Sequence, residues 1–590
     1  MENNFTHNIK KNVFLSLFIF ISIFTNFSIN LKAQCPNIAS LYFGSQSSID
    51  QFIINHPNCK QIVGDVEING DQITNLQGLR NLEKIGGSLT IRNTKVNNVD
   101  PLNSIVSIGA SRPFGGSIDI EYNSELQNLQ GFSSVTSLYG LTISGNILLQ
   151  NLYGLQNIAD LKWIRIFSNN LLENIDDLSK TASLLGLYIH SNNSLKNIDG
   201  LSNVTSVEQD IEFIANPLLA NLNGFENLTN INGNLHLYSN ESLSNVAGLH
   251  NLTQIGKDFH FVSNNATQDF NGLNNLSSIG GWLSIYDNKS LISLNGLNAL
   301  TSIGSALEVR DNSILQNLNG LNNLSNVTAY VRFENNELLN DISSLKKLTT
   351  IGTGLIFYKN NSLTNLNGLE GLNNIGGILS VFENNSLENV DGLKNLTSIT
   401  GFLNFRKNPQ LLNLNGLSKL TSIGGFLRVE NNSSINDISG LKNISENTIT
   451  EDNGIALTIK DNPNVSICNL PNFCNYLSHP TDTHIREISG NSGACFTEQD
   501  VKDACAAMST TEVSDSTISI APNPVIDELN IFSKKVIESI EILNEAGQLI
   551  RAEKVKSRIY KLDVHLLSQG LYVVRVKTES NIKNYKILKK

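Results

Sequence analysis

Between about residue 60 and residue 470 the apolar positions follow one repeated rule. The segment Trp282–Ser305 reads WLSIYDNKSLISLNGLNALTSIGS. Leu283 and Ile285 alternate with polar neighbours, which predicts a short strand with one buried face. Leu291, Leu294, Leu297, Leu300 and Ile303 then recur every third residue. That spacing is too tight for an amphipathic α-helix, which needs steps of three and four together. Each unit is therefore one turn of chain: a strand, then bends that lie on the turns above and below.

The repeat can be measured. The glycine before a Leu or Phe falls at Gly200, Gly224, Gly248, Gly272, Gly296, Gly320, Gly368, Gly392, Gly416 and Gly440, with Ser344 filling the gap in the series. An asparagine column runs through Asn192, Asn216, Asn240, Asn264, Asn288, Asn312, Asn336, Asn360, Asn384, Asn408 and Asn432 at intervals of 24 residues. Towards the N-terminus it continues as Asn169, Asn146, Asn123, Thr94 and Asp71, and beyond Asn432 it reaches Asn462, giving 17 units. Arg112-Pro113 and Glu446–Asn453 mark insertions in the two longer steps. A coil that turns sharply leaves inward backbone groups unpaired, at about 1–3 kcal/mol each when buried. Asparagine carries both a donor and an acceptor, so a stacked column can satisfy those groups and itself. At ~4.8 Å per turn, 17 turns give a stack about 80 Å long.

Six cysteines bracket the repeats: Cys35 and Cys59 before them, and Cys468, Cys474, Cys495 and Cys505 after. This segregation suits disulfides that seal the ends of a stack in an oxidising compartment. Cys35–Cys59 is the local pairing at the front, and the rear four leave three connectivities open. Their spacings lack the short paired knuckles of zinc sites. Lys10 and Lys11, the apolar run Val13–Phe24 and Ala33-Gln34 have the order of a secretory signal peptide. A run of twelve residues would rise only about 18 Å as a helix, short of a bilayer core. No later stretch is long enough to span one, so the mature chain is expected to have no stable membrane span.

The net charge is −11, which gives no footprint for nucleic acid. Residues 521–590 nonetheless hold 13 Lys/Arg against 8 Asp/Glu, marking a change of domain near residue 515. The expected organisation is a signal peptide over 1–34, a disulfide-bonded cap over 35–63, a solenoid over 64–462 and a second cap over 463–508. A linker over 509–519 and a small β-sandwich over 520–590 complete it, the sandwich read from alternating apolar segments with glycine-containing turns.

Two segments resemble known families. The pattern L-x-I-x-x-N-x-x-L-x-x-L resembles leucine-rich repeats, and its Ile-Gly-Gly step (Ile279–Gly281, Ile375–Gly377, Ile423–Gly425) is similar to the receptor L-domain of growth-factor receptor ectodomains. That likeness implies an all-β, right-handed parallel β-solenoid, and it transfers no binding residue. The order Pro522-Asn523-Pro524-Val525, Asp527, Leu529, Ile531, then Gly547-Gln548, then Gly570-Leu571-Tyr572-Val573-Val574-Arg575-Val576 and a basic end resembles the C-terminal sorting domain of type IX secretion cargo in Bacteroidetes. It implies type IX machinery and its sortase as partners of residues 520–590, and an extracellular or outer-membrane surface address.

Catalytic motifs are absent: there is no G-x-S-x-G, H-E-x-x-H or Walker-type loop. The informative positions lie two and four residues before each column asparagine, on the strand face pointing away from the core. Phe167, Tyr188, His190, Tyr238, Tyr286, Tyr358 and Phe382 fall there, a row of rings suited to stacking on a glycan or a protein surface. His236 and His260 share one column, too few ligands for a metal site, and no cofactor is expected. Glu308, Arg310, Asp311, Arg332 and Glu334 form a charged group on consecutive turns. The expectation is a non-enzymatic binding or adhesion protein. A carbohydrate-active enzyme on a β-helix and a passive surface coat are the alternatives.

Overall fold

The computed structural model describes residues 35–451, 454–479, 485–508, 518–544, 547–579 and 581–590. The expected signal peptide and the linker segment 509–517 lie outside them. The chain divides into a unit ending at Cys505 and a second unit, Ala506–Lys590.

In the first unit the described residues form a 19-stranded parallel sheet that begins at Ser40–Phe43 and ends at Ile485–Ser489. The 17 expected turns supply all but these two strands, so each cap adds a strand of its own. Partners align without slippage through the repeats, as in Tyr238↔Val262↔Tyr286↔Arg310↔Glu334↔Tyr358↔Phe382, and the register shifts at the last pair, between Ile455 and Leu457. Columns in the sequence are thus columns in space. A second, 10-stranded parallel sheet of two-residue strands runs from Ser183–Leu184 to Ser398–Ile399. Single 3-10 turns such as Asp199–Leu201 and Asn415–Leu417 form the remaining side of many coils. All the inward leucines, isoleucines and phenylalanines join one continuous core.

The asparagine column is the internal spine of this unit. Asn288 is fully buried. Its Nδ2 donates to the carbonyls of Phe261 and Tyr286 and to Asn312 Oδ1, each at 3.1 Å. Its backbone N–H donates to Asn312 Oδ1 at 3.0 Å, and its own Oδ1 accepts from Asn264 N–H at 2.9 Å. The pattern passes from Asn123 to Asn462 and on to Asn491, in the C-terminal cap. The residue before each asparagine is left-handed, whether glycine (Gly145, Gly490) or not (Tyr122, Asp287, Lys359, Glu383). That conformation costs a non-glycine residue about 1–2 kcal/mol, and the four or five hydrogen bonds made at the adjoining asparagine offset it.

The glycine column sets the spacing of the coils. A Cβ at Gly320 would lie 1.8 Å from Leu294 O, and one at Gly416 2.0 Å from Val390 O. Where serine replaces glycine, Ser344 Oγ donates to Leu318 O at 2.8 Å, turning the same close approach into a hydrogen bond.

The ends are closed as expected, with the connectivity resolved. At the front, helix Gln46–Asn55 is capped by Ser45 and buries Ile49 and Phe52, with Cys35 bonded to Cys59. At the back, Cys468 pairs with Cys495 and Cys474 with Cys505. Asn472, in helix Pro471–Ser478, donates to the carbonyls of Leu441 and Ile444 and so satisfies the last 3-10 turn of the repeats.

The second unit is a five-stranded antiparallel sheet. Its strand Glu528–Asn544 runs through a register irregularity after Phe532, and residues on both sides of that break, Leu529 and Ile531 with Ile540 and Ile542, share one core. The Pro-Asn-Pro motif has a mechanical part here. Asn523 donates from Nδ2 to Lys586 O and accepts from Leu588 N–H, while Val525 is buried and pairs with the final strand.

Candidate functional site: the outer face of the long sheet

Every strand of the long sheet turns alternate side chains inward, so the residues two, four and six positions before each ladder asparagine share the opposite face. The seven expected ring residues all lie on it, but they are less open than strand alternation alone suggests. Tyr286 is 40% exposed, and the other six are half-buried. Stacking at the spacing of a parallel sheet lets neighbouring rings cover one another. Glu308 and Ser380, expected to point into solvent, are 8% and 5% exposed.

The rings gather in stations along the face. Tyr188 stacks on Trp163 at 6.0 Å, with the Arg165 guanidinium 4.9 Å from the Trp163 ring, and Phe167 lies 4.9 Å from His190. Gly186 makes room for this arrangement, since a Cβ there would meet the indole at 2.4 Å. Farther along, Tyr358 and Phe382 stack at 4.2 Å and 17°. Arg310 and Glu334 occupy the intervening rungs and divide the row.

A third column, six residues before the asparagine, escaped the sequence reading. It holds Trp163, Trp282, Tyr330, Phe402 and Phe426. Trp282 and Tyr330 come from coils two apart and meet edge-to-face at 5.6 Å over the buried Ala306. Phe402 and Phe426 stack at 4.4 Å. The same 24-residue period would have found them had the strand been read one alternation farther back.

Between the stations lies a polar network. His190 Nε2 and His236 Nδ1 sit 3.1 and 3.4 Å from the two oxygens of Glu212, and the His236 and His260 rings are 4.9 Å apart. Burial lowers the pKa of His190 against the opposing pull of Glu212; burial and then His236 lower that of His260. The Tyr238 hydroxyl and His260 Nδ1 are hydrogen-bonded at 2.6 Å. Burial, with Glu212 and Asp258 nearby, pushes Tyr238 up to about 12. Among the described residues no group of three His, Cys, Asp or Glu is placed to hold a metal ion.

The charged group on the next coils is internally paired. Arg310 and Arg332 reach Glu334 at 3.2 and 2.5 Å, and Tyr330 donates to Glu308 Oε1 at 2.7 Å. Burial first, then Glu308, raises the Tyr330 pKa.

In the second unit, the buried Val525, Leu529 and Ile531, the Asn523 clamp and the strand Gly570–Thr578 all fall within one short stretch of chain. Residues 519–590 match the secretion system C-terminal sorting domain. A sorting domain of this kind marks cargo of the type IX secretion system, carried to the cell surface or the extracellular space. Residues 58–151, the first coils of the solenoid, match the receptor L domain. The repeat continues far beyond that match, in register, to the C-terminal cap. No curated protein matches the chain. No helix among the described residues is long and apolar enough to cross a membrane.

Proposed function

We propose that the protein is an exported, non-enzymatic binding or adhesion protein that takes a glycan or a protein on the outer face of its long sheet. The observation that carries this reading is the set of ring stations on one in-register face. Aromatic side chains occupy three adjacent columns there, and apart from the buried Phe426 they are half-buried or exposed and open to contact. Rings of this kind offer large apolar area at little entropy cost, with polar edges for orientation. The sorting domain supports the location, since export places this face in contact with extracellular material. The pairing of Glu308, Arg310, Arg332 and Glu334 within the face leaves those groups engaged in structural contacts, which favours binding over catalysis.

The test is a binding screen of the secreted protein against glycans and extracellular proteins, repeated with Tyr238→Ala, Tyr286→Ala and Tyr358→Ala combined. Saturable binding that the triple variant loses while remaining folded is expected. Binding that survives the triple variant would move the site off this face, and absence of any ligand would favour a coat role.

A further inference from the structure

The arginines of this face are not all paired alike. Most arginines on this sheet have a carboxylate: Arg92 has Glu67, Arg310 and Arg332 have Glu334, and Arg428 lies 3.8 Å from Glu430. Arg165, packed over Trp163 and Tyr188, has none within 4 Å among the described residues, and neither does Arg406. Its register neighbour Glu430 is engaged by Asn431 Nδ2 and Arg428 instead. The Arg406 guanidinium lies 5.9 Å from the Phe382 ring, at the end of the Tyr358–Phe382 stack, and its Nε is shielded without an acceptor. Two residues earlier on the same strand, Asn404 donates to Ser380 Oγ at 2.9 Å. A cation without an anion thus closes one end of a platform of stacked rings whose edges face outward.

A shallow groove of about 390 Å³ runs beside the platform, lined by Lys359, Asn361, Glu383, Asn385, Lys407 and Asn431. Lys359 joins it to the platform, its Nζ lying 4.8 Å from the Tyr358 ring. Residues 351–430 carry six Lys/Arg against five Asp/Glu, so these coils escape the acidity of a chain whose net charge is −11.

We infer that the station Tyr358–Phe382–Arg406 is a subsite for an acidic saccharide, a hexuronate unit of an extracellular polysaccharide. This deepens the proposed function and rests on it. The sugar packs against the outer edges of the stacked rings, and its planar carboxylate meets the unpaired guanidinium, whose fork geometry suits it. A neutral sugar would leave Arg406 without its anion.

The experiment compares binding of an oligogalacturonate hexamer and its carboxyl-reduced, neutral counterpart to the secreted protein. At least tenfold tighter binding of the acidic form is expected. Arg406→Gln should abolish that preference and Arg406→Lys should keep part of it, each with an unchanged melting curve. Equal binding of the two hexamers, or a preference unaltered by Arg406→Gln, would overturn the subsite. If Arg406→Gln fails to fold, Arg406→Lys decides alone: a reduced preference supports the subsite and an unchanged one overturns it. Binding of the acidic hexamer that falls with Tyr286→Ala but not with Arg406→Gln would overturn this inference and leave the broader reading standing. Insensitivity of all binding to every substitution on the face would overturn both.

Discussion

Replacing Asn288 by alanine tests the internal spine of the solenoid. The side chain is fully buried and serves three coils. Its loss leaves the Asn264 N–H without an acceptor and the Phe261 carbonyl without its 3.1 Å donor. Each buried orphan costs roughly 1–3 kcal/mol, so the substitution should cost about 2–6 kcal/mol. Asn385, exposed and one residue beyond the ladder, is the control: its side chain donates no hydrogen bond, and Asn385→Ala should stay within about 0.5 kcal/mol. Urea denaturation supplies the magnitudes. Because repeat stacks lose structure locally, hydrogen exchange supplies the place, with faster exchange expected across residues 259–266 and 283–290. Equal stability of the two variants, or exchange unchanged at Asn264, would refute the account of the ladder.

Other consequences follow from the same contacts. Gly320→Ala should destabilise by several kcal/mol, because its Cβ would fall 1.8 Å from Leu294 O at a φ of +115°, whereas Gly547→Ala, with nothing within 4 Å, should carry only its backbone cost of about 1 kcal/mol; paired melting curves compare them. His190 and His260 have lowered pKa values, so the folded protein resists protons that the unfolded chain accepts below about pH 6.5. Stability from this pair is complete above that pH and declines as pH falls towards the depressed values, and the urea midpoint should drop less between pH 7.5 and 5 in a His190→Asn/His260→Gln variant. A double variant with equal or greater acid sensitivity would count against the burial argument. Cys468→Ser should cost about 3 kcal/mol from the 27-residue loop it releases, with exchange rising first across Ile485–Asn491.

Much of this architecture is written in the sequence because stacking forces each coil to repeat the chemistry of its neighbours. The columns of Gly320 and Asn288 repeat because a carbonyl or an orphan N–H of an adjacent coil dictates each one. The cap coil of Asn491 lay hidden because the cysteine-bearing helix Pro471–Ser478 interrupts the period, placing Asn491 29 residues after Asn462. Disulfide partners were open for a related reason: helices, not repeats, bring Cys474 to Cys505. The candidate site was legible only in part. Spacing located its two nearer columns, but the burial of Glu308 depends on Tyr330 and Trp282 folding across Ala306, a contact between side chains from different coils. The left-handed column was legible only in part: residues such as Asp287, Asn335 and Gly490 suit that conformation, but Tyr122, Lys359 and Glu383 share only their place before a ladder asparagine.

The central claim is that the outer strand face is where this exported protein meets its ligand. Hydroxyl-radical footprinting of the secreted protein with and without a ligand recovered from the binding screen addresses it most directly, because rings report their own exposure. Protection concentrated at Tyr286, Tyr358, Phe382 and Trp282, with exposed rings elsewhere such as Tyr153 unchanged, is the predicted result. Protection confined to the caps or the turns, with these four rings still reactive, would contradict it.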